Sequence, residues 1–231
     1  PWAEHGDVRF FATLDDGTID MLDLARQIVE ERPAVIAVSA MSNVTGVINP
    51  IREIARMAHA ADAMIVVDAS QAAPHIAIDK GDIDFLALSG HKLYAPGSPG
   101  VLVGRRDLLA AAIGKCGNQG GGIVLRVDLQ DGVTFVPEAP DGLEAGTADI
   151  PGIIALGAAC LFLKEMGVAN VHAHDVRLST LLIRELATIP TCVTYGPLRP
   201  EERGGIVAFN LLGIAHGLVA AVLNDYFAIA V

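Results

Sequence analysis

Two short apolar runs, AVIAVSA at 34–40 and MIVVDAS at 64–70, constrain the fold most strongly. Each is rich in β-branched residues and too short for a typical helix, which is typical of a strand in a sheet that helices cover on both faces. Segments with helical apolar spacing lie before and between these runs, at 19–32 and 51–62. This alternation predicts an α/β fold with a mostly parallel sheet flanked by helices.

The other patterns along the chain extend this prediction. Further strands are predicted at residues 8–13, 83–89, 100–105, 191–196, 204–212 and 227–231. Further helices are predicted at 153–167, 174–189 and 215–226, and a glycine-rich loop or hairpin precedes the first of them. We therefore expect a large α/β domain over residues 1–150, followed by a linker helix and the start of a smaller α+β domain over residues 151–231. Both ends are expected to be incomplete, because the first strand starts abruptly and the last has no partner after it.

The composition argues against several classes of function. The 231 residues are 52% hydrophobic, which is enough for a sizeable core, and they carry a formal net charge of −11 with a pI near 4.9. Acidity without interleaved basic and aromatic residues argues against nucleic-acid binding. The apolar runs are too short or too interrupted to cross a bilayer, and the N-terminus lacks the features of a signal peptide. We therefore expect a cytoplasmic protein without membrane or nucleic-acid partners.

The cysteines and histidines predict no metal site. Cys116, Cys160 and Cys192 are odd in number, widely separated and form no CxxC pair, which disfavours a disulfide framework or a zinc site. His172 and His174 lie two residues apart on a predicted helix, where that spacing points their side chains to different faces. We therefore expect reduced cysteines and no bound metal.

Polar clusters follow the predicted strands at their carboxyl ends. Because ligands of open α/β sheets bind at that edge, we expect the clusters to converge. A carboxylate, a hydroxyl, an imidazole and an amine suit a ligand with an anionic group, a basic nitrogen and an electrophilic carbon. Pyridoxal 5′-phosphate (PLP) has all three. The clusters are Ser42 with Asn43, Asp68 with Gln71, Ser89 to Lys92, and Gly97 to Gly100.

Each polar side chain has a chemical part in the PLP hypothesis. Asp68 would pair with the pyridine nitrogen, so that the ring stays protonated and accepts electrons. Lys92 would form the Schiff base and move protons at the substrate carbon, because burial and a nearby positive charge lower the pKa of a lysine. The other residues supply the remaining contacts: Ser89 and His91 the phosphate, Gln71 the phenolic oxygen, and Asn43 that oxygen or the substrate carboxylate.

Taken singly, these residues have ordinary structural explanations. Asp68 could cap a helix or form a turn, and Lys92 could be a surface lysine. His75 lies between small and apolar residues and is interpreted as a packed, hydrogen-bonded histidine rather than a catalyst. Cys116 is not favoured as a nucleophile, because neither a histidine nor a helix start lies beside it. The joint arrangement favours the cofactor site, because Asp68 and Gln71 follow one strand and the sequence SGHK follows the next.

Several longer motifs resemble a known family. In chain order they are SNVTGVINPI, VVDASQAAPH, DFLALSGHKLYAPGSPGVLVGR, GGG, LEAGT and PGIIALGAA. Together they resemble the class V aminotransferase family and, within it, the cysteine desulfurase and selenocysteine lyase branch. The resemblance runs over nearly the whole chain, to YGP and GGIVAFN.

The resemblance implies a fold-type I PLP enzyme with a mostly parallel sheet of the seven-stranded type. It implies a homodimer with its sites at the subunit interface, in which Thr147 reaches the partner's cofactor phosphate and Gly120, Gly121 and Gly122 begin an interface hairpin. By matching position, Lys92 would be the Schiff-base lysine. Such enzymes release sulfur from L-cysteine, leaving alanine and a persulfide for an acceptor protein in iron–sulfur cluster assembly.

The sequence also departs from the family pattern. Nothing before Pro1 supplies the family's upstream phosphate loop, and its nucleophilic cysteine and carboxylate-binding arginine would lie beyond Val231. In addition, the hairpin reads GGIVLRV where the close relatives have a Glu-Met pair, and AGTADI stands in place of the more usual AGTPN. We expect either a portion of a longer polypeptide or a relative that cannot desulfurate. Two alternatives therefore stay open: another class V enzyme, such as an aminotransferase, epimerase or lyase acting on a small amino acid, and a non-catalytic relative.

Overall fold

The computed structural model of the protein describes residues 2–4, 6–115 and 120–231. Within these ranges the longer elements alternate much as the sequence predicts. The helices are Met21–Glu31 (α1), Ile51–Ala60 (α2), Arg106–Ala112 (α3), Ile150–Met166 (α4), Val168–Leu186 (α5) and His216–Phe227 (α6). The strands are Val35–Ser39 (β1), Met64–Asp68 (β2), Phe85–Ser89 (β3), Gly100–Gly104 (β4), Val124–Asp128 (β5), Gly132–Phe135 (β6), Cys192–Tyr195 (β7) and Ala208–Leu211 (β8).

The main sheet contains β1 to β4 in chain order. β1, β2 and β3 run parallel, whereas β4 pairs antiparallel with β3. The predicted α/β class and mostly parallel sheet are confirmed, and the described residues supply these four strands to it.

The largest core lies between one face of this sheet and the helices α1 and α2. Strand residues at alternate positions point into it, as the two-residue period of a strand requires. On β1, by contrast, Ala37 and Ser39 point away from this core and stay exposed, so the described residues cover one face of that strand. The core includes Leu24, Ile28, Ile36, Val38, Ile54, Ala58, Ile65, Val67 and Leu86.

Helix α4 packs on a second, smaller apolar cluster. Its Leu156 and Leu163 lie there with Leu93 and Ala95, which follow β3. The helix begins at an N-cap, where the Asp149 carboxylate accepts a hydrogen bond from the Gly152 N–H at 3.1 Å. This packing ties the long helix to the segment that carries the predicted catalytic lysine.

Two antiparallel hairpins complete the fold. β5 pairs with β6 in the region predicted as loop or hairpin, and β7 pairs with β8 beyond α5. The segment between β7 and β8 reaches the loop after β1 through an isolated bridge between Val47 and Arg203. The division into domains at residue 150 stays a prediction.

Two strand predictions were wrong, and one helix was missed. Residues 8–13 form no regular strand, because among the described residues only Thr13 pairs, in an isolated bridge with Ile19. The run 227–231 is also not a strand, since α6 continues through Phe227 and Ala228 closes it with a hydrogen bond to Asn224 O. Helix α3 follows β4 and was not predicted.

No single described helix is long and apolar enough to cross a membrane. Helices α4 and α5 together reach the length and hydropathy of a span, but they are bent by 72° at their junction.

Candidate active site

Three strands bring their carboxyl ends to one edge of the sheet, which we call the site edge. Ser39 of β1 lies beside Asp68 of β2, and Asp68 lies beside Ala87 of β3. Ser89, the last residue of β3, is opposite Gly100, the first residue of β4. The segments that follow β1, β2 and β3 therefore start side by side.

Lys92 and Gln71 meet at the site edge. The Nζ of Lys92 donates a hydrogen bond to Oε1 of Gln71 at 3.1 Å, and both residues are half-buried. Lys92 lies on a short 3-10 turn, Gly90–Leu93, and Leu93 anchors that turn in the cluster under α4. The lysine is therefore held on a packed turn and is not a free surface side chain.

Ser89 and His91 form a second pair on the same turn. Ser89 Oγ and His91 Nδ1 share a hydrogen bond of 2.8 Å, with Ser89 half-buried and His91 exposed. A hydroxyl and an imidazole held together at the end of a strand can both donate to an anionic group. The pair lies one residue on either side of Gly90.

Gly90 explains why the sequence SGHK is followed at once by a loop of glycine and proline. The loop folds back on the turn so closely that a Cβ on residue 90 would lie 2.0 Å from Ser98 Oγ and 2.6 Å from Pro99 O. Ser98 N also donates to Ala95 O at 3.1 Å. Only glycine leaves room for this approach, which fixes the turn that carries Lys92.

Asp68 presents an exposed carboxylate at the end of β2. Its Oδ1 accepts a hydrogen bond from Ser70 N at 2.9 Å, and its backbone carbonyl accepts one from Ala40 N at 2.8 Å. Its Oδ2 has no hydrogen bond to any residue that the structure describes. The carboxylate thus shapes the local turn and keeps one oxygen available.

Asn43 and Thr147 are exposed, and neither side chain has a hydrogen bond within the described ranges. Asn43 lies in the turn after β1, where Ser42 Oγ accepts hydrogen bonds from the N–H groups of Val44 and Thr45. Thr147 lies before α4, and the preceding Gly146 donates to Gly121 O at 2.7 Å. The structure therefore brings together Gln71 with Lys92 and Ser89 with His91, whereas no hydrogen bond among the described residues joins Asn43 or Thr147 to them.

Other histidines and cysteines lie away from these pairs. His75 Nδ1 shares a 2.8 Å hydrogen bond with Asp175 Oδ2, as predicted for a packed histidine. Cys160 is exposed on α4, while burial raises the pKa of the Cys192 thiol on β7. Cys116 lies outside the described residues, and within them no three His, Cys, Asp or Glu side chains are grouped to hold a metal.

Sequence reasoning missed two buried charged residues. Asp84 is 1% exposed at the start of β3, and Arg203 is fully buried between β7 and β8. Asp84 looks like any aspartate before a strand, so the sequence carried no signal for its burial. For Arg203 the two glycines that follow it, Gly204 and Gly205, were a usable signal, because paired glycines mark close backbone approach.

Comparison with known proteins assigns the chain to a family. The family model described as Aminotransferase class-V matches residues 3–231. The chain belongs to the class V aminotransferase family. The matched range includes all the motifs from SNVTG to GGIVAFN, and the resemblance to this family is confirmed.

Several curated relatives and two solved structures that resemble this chain are cysteine desulfurases. The chain is 40% identical over 226 residues to a cysteine desulfurase of Dickeya dadantii and 38% identical over 227 residues to one of Cronobacter sakazakii. Both matches cover 97% of this chain but only 53% and 54% of the respective relatives.

The structural comparison agrees with the sequence matches. The apo cysteine desulfurase of Thermococcus onnurineus NA1 superposes with a TM-score of 0.86 at 31% identity, covering 94% of this chain and 54% of the other. The cysteine desulfurase CsdA of Escherichia coli, in its S-sulfonic acid form, gives 0.79 at 33% identity, covering 89% and 51%. The chain thus spans about half the length of the relatives it matches.

Proposed function

We propose that the protein is a PLP-dependent cysteine desulfurase that converts L-cysteine to alanine and passes the sulfur to a cysteine thiol. The observation that carries the proposal is the hydrogen bond between Lys92 and Gln71 at the site edge, beside the Ser89–His91 pair. The family and the cysteine desulfurases among its relatives support it.

The donor set at the site edge fits PLP. A half-buried amine, an exposed carboxylate with an open oxygen, and a paired hydroxyl and imidazole lie on segments that start side by side. These match the aldehyde, the ring nitrogen and the phosphate of the cofactor in chemical type. When bound, PLP supplies an aldehyde that reacts with amines and a ring that accepts electrons from the substrate carbon.

The residues of this chain have distinct parts in the proposal. Lys92 bonds covalently to the cofactor and holds or moves a proton at its Nζ, and Gln71 orients that nitrogen. Asp68 keeps the pyridine nitrogen protonated through its open carboxylate oxygen. Ser89 and His91 donate to the phosphate. These roles suit the removal of a group from an amino acid.

The sulfur-accepting cysteine has no evident counterpart among the described residues. Cys160 is exposed on α4 and Cys192 lies on β7, and neither has a hydrogen bond with a residue of the site edge. We propose that this cysteine belongs to the part of the desulfurase that the longer relatives have beyond the matched length. The homodimer, the approach of Thr147 to the partner's phosphate, an iron–sulfur acceptor and a cytoplasmic location belong to the same proposal.

The absence of a described cysteine at the site edge also favours a second candidate. An aminotransferase, epimerase or other lyase of class V acting on a small amino acid would use Lys92 and Asp68 without a cysteine nucleophile. The two functions differ in the products formed from L-cysteine.

The test uses the full-length purified protein with PLP. We expect a yellow absorption on loading and equimolar alanine and sulfide from L-cysteine in the presence of a thiol reductant. Lys92→Ala should abolish both, because no amine remains to bond to the cofactor. Lys164→Ala, which removes an exposed lysine on α4, is the matched control and should behave like the wild type. A yellow protein that leaves L-cysteine unchanged would refute the desulfurase and favour the second candidate, and a colourless protein would refute both.

A further inference from the structure

Arg203 is a fully buried arginine whose guanidinium binds only backbone carbonyls among the described residues. It has no carboxylate within ion-pair distance there, and burial lowers its pKa from the ordinary arginine value. A guanidinium carries five N–H donors in one plane, so it can gather carbonyls from several segments at once. The acceptors are Thr45 O at 3.0 Å, Pro197 O at 3.0 Å, Tyr195 O at 3.2 Å and Ile206 O at 2.7 Å.

One of these carbonyls belongs to the turn that carries Asn43. Residues 42–47 form a closed turn, in which Ser42 N donates to Val47 O at 2.8 Å and Gly46 N donates to Ser42 O at 3.1 Å. Thr45 follows Asn43 by two residues, so the guanidinium holds this turn directly across 158 residues of sequence. Asn43 itself has no hydrogen bond among the described residues and remains available for a ligand.

Backbone contacts align the same turn with the segment around Arg203. Gly204 N donates to Gly46 O at 2.8 Å, and Ile48 N donates to Glu202 O at 2.9 Å. At the other end, Ala40 N donates to the carbonyl of Asp68 at 2.8 Å. The turn is therefore fixed between the Asp68 strand and Arg203.

Two glycines pack closely against the carbonyl groups that Arg203 binds. A Cβ on Gly46 would lie 2.8 Å from Ile206 O, and a Cβ on Gly196 would lie 2.8 Å from Thr45 O. The carbonyls that Arg203 binds are thus closely packed against neighbouring backbone. A shorter or non-planar donor at residue 203 would let the turn shift.

We propose that Arg203 is a positioning residue that sets Asn43 against the cofactor ring. The inference rests on the PLP-binding part of the proposed function. In it, Arg203 never touches the ligand: its guanidinium fixes Thr45 O, the closed turn fixes the backbone of Asn43, and the Asn43 amide contacts the phenolic oxygen. Lysine cannot replace it, because an ammonium has three donors around one nitrogen and cannot span the same carbonyls.

The test is a double-mutant cycle on PLP affinity in the full-length protein. The variants are Arg203→Lys, Asn43→Ala and the two combined, and the readout is the PLP dissociation constant from visible absorbance. We expect Arg203→Lys and Asn43→Ala each to weaken binding about tenfold, because a slightly displaced amide loses most of its hydrogen bond. The combined variant should bind no more weakly than Asn43→Ala alone, since both changes remove the same contact. Arg199→Lys, the same change at an exposed arginine four residues away, should leave affinity unchanged.

Additive losses in the combined variant, or unchanged PLP affinity with Arg203→Lys, would overturn the positioning role even if the melting temperature falls. If Arg203→Lys does not fold, Gly196→Ala takes its place in the cycle, because its Cβ would lie 2.8 Å from Thr45 O and 3.3 Å from Arg203 Nη2 and would displace the contact between them. The same non-additivity is then expected, and additive losses again overturn the proposal. Failure of the desulfurase proposal is distinguishable from this outcome. The variants would then show the same non-additive losses of PLP affinity, but the wild type would form no alanine from L-cysteine.

Discussion

Asp68 and Asp84 lie at opposite edges of the same mostly parallel sheet and have opposite surroundings. Asp84 precedes β3 and is 1% exposed, and its carboxylate accepts hydrogen bonds from Ile65 N at 2.9 Å, His59 Nε2 at 2.9 Å and Arg105 Nη1 at 3.2 Å. Asp68 ends β2, is exposed, and has a hydrogen bond from Ser70 N alone to its carboxylate within the described ranges.

The difference separates a structural carboxylate from an available one. A buried carboxylate must be fully hydrogen-bonded, and Asp84 meets that requirement with groups from α2, β2 and the residue after β4. Asp68 keeps an oxygen open at the edge where parallel sheets bind ligands. The carboxylate at the amino ends of the parallel strands therefore holds neighbouring elements together, and the open oxygen at their carboxyl ends is available to a ligand, as the proposed function requires.

The largest expected effect on stability from breaking this division comes from Asp84→Asn. Removing the charge weakens the hydrogen bonds that the buried side chain accepts from Ile65 N–H, His59 and Arg105, so the free energy of unfolding should fall by about 1–3 kcal/mol. Urea unfolding followed by circular dichroism measures it, with the exposed Asp82→Asn as the control. PLP affinity of the folded fraction should stay at the wild-type value, and a loss of affinity with unchanged stability would assign Asp84 to the site instead.

Asp68→Asn should show the reverse pattern. The amide cannot keep the pyridine nitrogen protonated, so turnover should fall about 100- to 1,000-fold, while the unfolding midpoint should move little because the side chain is exposed. Initial rates of alanine formation measure the first effect and thermal unfolding the second. A large loss of stability with normal turnover would place Asp68 with Asp84 as a structural residue.

Sequence patterns predicted the elements whose evidence is local. The strands β1 to β4 follow from apolar runs, and the proximity of Lys92 to Gln71 follows from the rule that parallel strands end at one edge. The stretch 8–13 failed for a physical reason: β propensity describes a residue's fit to a sheet, and a strand also needs a paired neighbour. Phe10 is 87% exposed there, with nothing described to pack on.

The residues that escaped prediction depend on distant partners. Asp84 and Asp68 both adjoin apolar strand runs, and only the arrival of His59 and Arg105 from other elements makes one of them structural. Arg203 binds carbonyl groups, which every residue has, so no particular side chain elsewhere in the sequence announces its partner. The partners of these buried charges become visible only when the fold is assembled.

The smallest effect concerns acid stability and sharpens the role of Asp84. Burial by itself would raise the pKa of Asp84, but hydrogen bonds from His59, Ile65 N–H and Arg105 outweigh it and hold the pKa below the ordinary value. A pKa that is lower in the folded than in the unfolded chain stabilises the protein above the unfolded value of about 3.9, and this contribution is lost as pH falls through the folded pKa. Between neutral pH and pH 3, the urea midpoint of the wild type should therefore fall further than that of Asp84→Asn, which lacks this titration. Parallel curves for the two proteins over that range would show that Asp84 has the same pKa in the folded and unfolded chains, and its hydrogen bonds would then favour the charged form no more than water does.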